Sequence, residues 1–306
     1  MAGGQGRATA ARAGGFWGKL YVCGTPIGNL EDVTLRVLRV LREVDVIAAE
    51  DTRHTRKLLN HYKINTPLFS LHEHNERARI AELLKRLQSG QSVALVSDAG
   101  MPAISDPGGA LIAAAAQEGV EIVVVPGPTA FVAALVGSGL PSDRFAFEGF
   151  LPRHPARRRE RLEELANDPR TLVFYEAPHR LVETLQAMLE VWGDRPACVA
   201  RELTKAFEEW QRAPLSQLAA YWAAHTPRGE FVIVVAGAPQ AAGRAAGEDG
   251  EKALDEASLA AAVRSRMAAG MDKKTAVKAV ADEFGVPRRV VYRAALEIDA
   301  VDEEEE

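Results

Sequence analysis

Residues 44–59 read VDVIAAEDTRHTRKLL. Positions 44–49 make a short run, apolar except for Asp45, that has the length of a buried strand. The run stops at Glu50-Asp51-Thr52-Arg53-His54, and Leu58 and Leu59 then resume a helix-compatible spacing. Unpaired charge is costly to bury. A cluster of acids, an arginine and a histidine at the end of such a strand therefore belongs to a cleft, where its members can pair with one another or meet a ligand.

The same alternation runs along the chain. KLYVC, PLFSL, SVALVS, EIVVVP, RFAFEGF, RTLVFYE, PACVARE and EFVIVVAG read as further strands. Between them EDVTLRVLRVLREV, NERARIAELLKRLQSG, GALIAAAAQEG, PTAFVAALVGSG and HRLVETLQAMLEVWG carry apolar residues at helical spacing. Strands alternating with helices predict an α/β protein. Residues 237–257, GAPQAAGRAAGEDGEKALDEA, lack periodicity and read as a linker. Beyond them the pattern predicts three short helices, separated at Gly270-Met271-Asp272 and Gly285-Val286-Pro287. That spacing suits a helix-turn-helix, and equally a small three-helix cap on the main body.

Composition excludes several classes. The chain has 306 residues and 47% hydrophobic content, enough for two domains with a remainder. Its apolar runs are too short to span a bilayer, so no membrane role is expected. The first nineteen residues, MAGGQGRATAARAGGFWGK, lack the apolar segment of a secretory signal and read as a disordered leader or an over-long start. Two distant cysteines, Cys23 and Cys198, read as small buried hydrophobes in a reducing, cytoplasmic setting. No structural zinc site, and no metal of any kind, is expected from them. The net charge of −5 argues against indiscriminate coating of nucleic acid. Yet residues 153–161, RHPARRRER, hold five arginines, and residues 264–293 hold eight Lys/Arg against three Asp/Glu. These basic stretches can face an anionic partner, or simply be solvated surface.

Three strands end in loops rich in glycine, proline and small polar residues: CGTPIGNLEDVT, SDAGMPAISDPGG and PGPTA. In open α/β sheets ligands lie beyond the carboxyl ends of strands. Glycine permits close backbone approach and proline stiffens the loop. No GxxxxGK[ST] or GxGxxG is present, so neither a P-loop nucleotidase nor the usual dinucleotide fold is indicated. The loops offer amides, carbonyls and one acid, Asp98, to a ligand with a ribose, an amino-acid group or a base. Polar clusters follow other strands: EDTRHT, HEHNE, YEAPHR and RELTK. His72-Glu73-His74 is not HExxH and has no partner cluster, and no GxSxG elbow points to serine hydrolysis.

In their order, TPIGNLEDVTLR, AAEDTRHTRKLL, LHEHNE, LVSDAGMPAISDPG, VPGPTA, GLPSDRFAFEGFLPR, RTLVFYEAPHR and RELTKAFEE closely resemble the ribosomal RNA small subunit methyltransferase I family, of the tetrapyrrole-methylase-like superfamily. The resemblance covers residues 20–237, and the C-terminal helical segment is similar to the small domain that many members carry. It implies two α/β domains with an S-adenosyl-L-methionine cleft between them, plus the helical domain. The divisions are a leader (1–18), α/β domains (19–127 and 128–237), a linker (238–257), a helical domain (258–298) and an acidic tail (299–306). It implies a homodimer that 2′-O-methylates a decoding-centre cytidine, position 1402 in the usual 16S numbering, with 16S rRNA in the 30S subunit as partner. Met101 departs from the family, where SDAGTP has a threonine. A thioether offers no hydroxyl there, and the backbone role of the loop is unaffected.

Roles follow from the resemblance. Thr25, Pro26, Gly28, Asp98, Gly100, Ile104 and Ser105 are the expected cofactor contacts on the first two loops. Thr129, Ala130, Tyr175, Glu176, Ala177 and Ala200 are those expected on the far side. Asp51, His54 and Lys205 compete to take the hydroxyl proton, with His72, His74 and Glu202 also in reach of that role. Glu50 reads equally well as a structural partner of an arginine. Arg53, His72, His74, Arg153, Arg157, Arg158, Arg159, Arg288 and Arg289 are expected to contact RNA, the arginines at 153–159 from a loop. Two rivals remain at this level. A tetrapyrrole-type small-molecule methyltransferase would have a large apolar cleft and lack the 153–161 arginines. A non-catalytic RNA-binding assembly factor would fail to bind the cofactor.

Overall fold

The computed structural model describes residues 17–72, 76–239 and 256–302. The stretch around residue 46 does form a buried strand, and it sits near the middle of a parallel sheet. In order come β1 (Leu20–Cys23), α1 (Leu35–Glu43), β2 (Val46–Ala49), α2 (Thr52–His61), β3 (Leu68–Ser70), α3 (Glu76–Gln88), β4 (Val93–Val96), α4 (Gly109–Glu118) and β5 (Ile122–Val125). The strands pair in the order β3-β2-β4-β1-β5, all parallel.

Every residue of β2 and β4 is buried, because helices cover both faces. Ile47 and Ala49 pack with Val37, Leu41 and Leu58 of α1 and α2. Val46 and Ala48 turn the other way, to Leu83 and Leu87 of α3 and Leu111 of α4. Thr34 starts α1 by accepting the Val37 amide at 3.1 Å, and Asp51 starts α2 by accepting that of Arg53 at 2.8 Å. The polar residues that end the opening run are thus the first turn of a helix.

A second sheet follows, built from β6 (Phe145–Phe150), β7 (Thr171–Glu176), β8 (Pro196–Arg201), β9 (Glu209–Pro214) and β10 (Phe231–Val235). Its order is β6-β7-β10-β8-β9, with β6 and β7 parallel and the other pairs antiparallel. One face carries Phe174, Val199 and Ile233 against three helices, α6 (Pro155–Glu164), α7 (Leu181–Trp192) and α8 (Leu215–Ala224). The other face carries Val173, Cys198, Ala200 and Val232 against α5 (Ala130–Ser138) and against Ile27 from the loop after β1. That contact joins the two sheets. Burial pushes the Cys23 thiol up to about 12 and that of Cys198 up to about 11, so both are inert packing groups.

Three elements differ from the sequence expectation, the first being α8, LSQLAAYWAA, which was not anticipated as a helix. Residues 155–164, expected as a loop, are helix α6. Pro155 occupies its first turn, and Arg159 pairs with Glu163 one turn on. Strand β9, EWQRAP, was not anticipated because it is an edge strand with no apolar run.

Residues 256–302 belong to a separate unit of three helices, α9 (Glu256–Ala268), α10 (Lys273–Phe284) and α11 (Arg288–Asp302). Val263, Val277, Val280 and Val291 form its core. Asp272 caps α10, and Gly285, at φ +65°, ends it. Residues 1–16 of the expected leader, 240–255 of the expected linker and 303–306 of the expected acidic tail lie outside the described residues, while residues 299–302 of that tail continue α11.

The loops after β1 and β5 touch through their glycines. A Cβ on Gly127 would lie 2.7 Å from the Gly24 carbonyl oxygen, closer than any side chain tolerates. Gly127→Ala is therefore expected to destabilise the fold by about 1–3 kcal/mol, as overpacking does. Urea unfolding of the variant beside the parent checks this.

Candidate functional site

The loops after β1 and β4 meet at the carboxyl edge of the first sheet. The Thr25 N–H donates to the Gly100 carbonyl at 2.8 Å, and the Gly100 N–H to that of Thr25 at 3.1 Å. The Thr25 hydroxyl also donates to the Ser97 carbonyl at 3.1 Å. On one side of this bridge lies a cavity of about 290 Å³ between the two sheets. Its walls come from Ile27, Gly100, Ile104, Ser105 and Asp106 in the first half, and from Thr129, Ala130, Tyr175, Leu203, Glu230 and Val232 in the second. A second cavity, of about 190 Å³, is lined by Thr25, Pro26, Leu30, His54, Thr55, Lys57, Leu58, Ser97 and Asp98. The two share the loop after β4.

That loop is strained. Ala103 and Ser105 have φ of +68° and +64°, conformations that cost a non-glycine residue about 1–3 kcal/mol. It is held by the Ala103 N–H donating to the Pro107 carbonyl at 3.3 Å, and by the Gly108 N–H donating to the Glu76 carboxylate at 3.0 Å. The result is an acid, Asp106, in the wall of the larger cavity. Its carboxyl is pushed up to about 6, first by burial, with the charges of Asp98 and Glu230 adding and a Ser97 hydrogen bond opposing. Glu50 is pushed up to about 6 as well, by burial and then by Asp106 and Asp98.

Beside Glu230, Lys205 pairs with Glu202 and Glu230, both at 2.9 Å. Burial works against its charge, but the two carboxylates prevail and raise its pKa. A lysine so held stays protonated and cannot act as a base. The Thr204 hydroxyl accepts the Asn29 N–H at 3.1 Å, and a Cβ on Gly28 would lie 2.5 Å from the Lys205 side chain. Gly28 is therefore a seat for Lys205, which closes one end of the contact between the sheets.

Residues 19–219 match the family of Tetrapyrrole (Corrin/Porphyrin) Methylases, and residues 252–299 match the RsmI C-terminal HTH domain. A ribosomal RNA small subunit methyltransferase I of Synechocystis sp. is 48% identical, over 92% of this chain and 99% of its own length. That of Pseudomonas aeruginosa is 47% identical, over 92% and 97%. The chain belongs to the ribosomal RNA small subunit methyltransferase I family. Among solved structures it resembles the cobalt precorrin-4 methyltransferase CbiF, with a TM-score of 0.56 and 22% identity over 71% of this chain and 94% of that one. It also resembles uroporphyrin-III C-methyltransferase from Thermus thermophilus, solved with S-adenosyl homocysteine, with a TM-score of 0.52 and 22% identity over 71% and 97%. These two likenesses establish the fold.

Within this family fold, Gly100, Ile104, Ser105, Thr129, Ala130, Tyr175 and Ala177 line the larger cavity. Glu176 lines it too, but its buried carboxylate is already engaged. It accepts from the Thr184 hydroxyl at 2.6 Å and the Ala177 N–H at 2.8 Å. Thr25, Pro26 and Asp98 belong to the second cavity, and Ala200 is buried in the second sheet. Asp51 chelates Arg53 at 2.8 and 3.1 Å. Those hydrogen bonds hold its carboxyl well below the usual range and make it a poor base.

Arg53 is nearly fully exposed, and His54 faces the second cavity. His72 follows β3, half-buried, while His74 lies outside the described residues. Arg153, Arg157 and Arg159 are exposed, but Arg158 turns inward and meets Glu183 at 3.4 Å, so it is a packing residue of α6 and not an RNA contact. Arg288 and Arg289 are exposed at the start of α11. Among the described residues no cluster of His, Cys, Asp and Glu is placed to hold a metal, and no helix is long and apolar enough to cross a membrane.

The sequence places residues 97–106 in a cofactor loop without singling out Asp106, gives no sign of Glu230, and leaves Glu50 undecided. A second aspartate in SDAGMPAISDPGG was the available signal, but its burial is tertiary. Because Asp106 is raised in the folded chain, its ionisation opposes folding above its unfolded pKa, and the penalty vanishes once both states are protonated. Asp106→Asn should therefore stabilise the protein at pH 7.5 by about 1 kcal/mol after solvent screening. The gain should shrink as pH falls toward 4, in parallel urea titrations at the two pH values.

Proposed function

We propose that this chain methylates the ribose 2′-hydroxyl of the decoding-centre cytidine of 16S rRNA within the 30S subunit, using S-adenosyl-L-methionine held in the larger cavity. The donor set fits that cofactor. Ile27, Ile104, Leu203 and Val232 give apolar walls, and Glu230 can accept from a hydroxyl or ammonium group. When bound, the cofactor supplies an electrophilic methyl group on a sulfonium.

The chain's own task is to orient the ribose and remove its proton. The observation that carries the reading is Asp106, a cavity-lining carboxylate raised to about 6 on a strained loop. It is ionised at neutral pH yet more basic than an ordinary aspartate, which suits a general base. Asp51 and Lys205 are locked in ion pairs, and we assign them to positioning. Exposed Arg53, Arg153 and Arg157, with Arg288 and Arg289 on the helical unit, suit phosphate contacts that position RNA.

A homodimer, in the cytoplasm, completes this reading. Val124 on edge strand β5 and Val132 and Val136 on α5 are exposed by 44–74%, an apolar surface that a second copy would cover. Light scattering on the purified chain tests this, and a dimer that Val136→Glu converts to monomer is expected.

The activity is tested with 30S subunits from a strain lacking the modification, labelled cofactor, and mass spectrometry of the digested rRNA. One new 2′-O-methylcytidine is expected. Asp106→Asn should lower kcat by about 10²–10⁴-fold. It should also abolish the limb of the rate profile that rises through about pH 6, while S-adenosylhomocysteine binding persists. Cofactor binding without rRNA methylation would return the tetrapyrrole-type reading.

A further inference from the structure

We propose that the second cavity is a nucleobase pocket that takes the pyrimidine of the nucleotide being methylated, an assignment resting on the rRNA reading above. Thr55 is 3% exposed and lines this cavity, and its buried hydroxyl has no hydrogen-bond partner within the protein. A buried hydroxyl left so costs about 1–3 kcal/mol, and its presence in a folded protein calls for an explanation, which a bound ligand supplies. Its own amide is already used, donating to the Asp51 carbonyl at 3.0 Å within α2. The free group is therefore the side chain alone.

The rest of the cavity has the character of a base site. Pro26, Leu30 and Leu58 give apolar walls, and the Tyr62 hydroxyl fixes Leu30 by donating to its carbonyl at 2.7 Å. Flipped bases are read by a polar edge contact while their faces pack on apolar or aromatic side chains. Asp98 supplies an acceptor in the same wall, and an aspartate accepts from the cytosine amino group. The Asp51 N–H holds that carboxylate at 3.0 Å. At about 190 Å³ the space is roughly six water volumes, too small for a whole cofactor and ample for one base.

The rim and the location agree. His54 and Lys57, one turn apart on α2, are exposed where a phosphate of the same nucleotide would emerge. Thr25, Ser97 and Asp98 wall this cavity, while Ile27, Ala99 and Gly100 of the same two loops wall the larger one. A base seated here therefore brings its ribose to the Thr25–Gly100 bridge, at the boundary with the cofactor cavity. Thr55 and Asp98 select the base, and the larger cavity holds the methyl donor.

The test uses the full chain with two substitutions. Thr55→Val keeps the shape and removes the hydroxyl, whereas Thr55→Leu fills the space. With 30S subunits, Thr55→Val is expected to raise KM by about three- to tenfold, the worth of one hydrogen bond. S-adenosylhomocysteine affinity and thermal midpoint should not fall. Independently, saturation-transfer NMR with millimolar cytidine 5′-monophosphate should detect contact with the parent protein, lost in Thr55→Leu.

A lowered midpoint in Thr55→Val would mark the hydroxyl as structural and overturn the proposal. So would nucleotide contact that is absent from the parent or survives in Thr55→Leu, or loss of S-adenosylhomocysteine binding in that variant. Thr55-dependent nucleotide contact without rRNA methylation would uphold the pocket and refute the rRNA reading.

Discussion

Two backbone hydrogen bonds, exchanged between Thr25 and Gly100, hold the loop after β1 against the loop after β4. The two cavities are divided there, and each takes part of its wall from both loops. Backbone atoms approach this closely because Gly24 and Gly127 carry no side chain, which lets the loop after β5 close in beside them. Ile27, two residues past the bridge, then enters the core of the second sheet. Cavity, bridge and contact between sheets are one arrangement, so a change in any of these loops reaches all three.

Charge around that arrangement is managed in two opposite ways. Lys205 is neutralised by Glu202 and Glu230, and Asp51 by Arg53, in pairs that fix geometry and suppress reactivity. Glu50 and Asp106 are partly buried and lie near Asp98, so both titrate near 6. The fold tolerates that repulsion at the carboxyl edge of the sheet, at a cost in stability above the acids' unfolded pKa. Strain at Ala103 and Ser105 has the same location and the same sense.

Most strands were legible because helix-covered strands must be apolar along their length, as VIAA and VALV are. EWQRAP escaped because an edge strand can be polar on successive positions. PARRRERLEE was misread because arginines hide helical period. In the folded chain Arg158 points inward, beside Leu162 in the core, while Arg157 and Arg159 face out. Of the candidate site, the Gly/Pro loops were visible as composition. The division of Thr25, Pro26 and Asp98 into a cavity separate from that of Gly100 and Ile104 was not.

The sequence by itself determined the α/β class, the three strand-end loops and the family, since hydrophobic period and ordered motifs are local properties of a chain. Tertiary structure alone decided which acids are raised, which cations are bound up, and which hydroxyl is buried without a partner. Burial and like-charge proximity depend on residues far apart in sequence: Asp106 answers to Asp98 and Glu230, and Lys205 to Glu202 and Glu230. Chemistry at this site is set by those distances, and no local pattern encodes them.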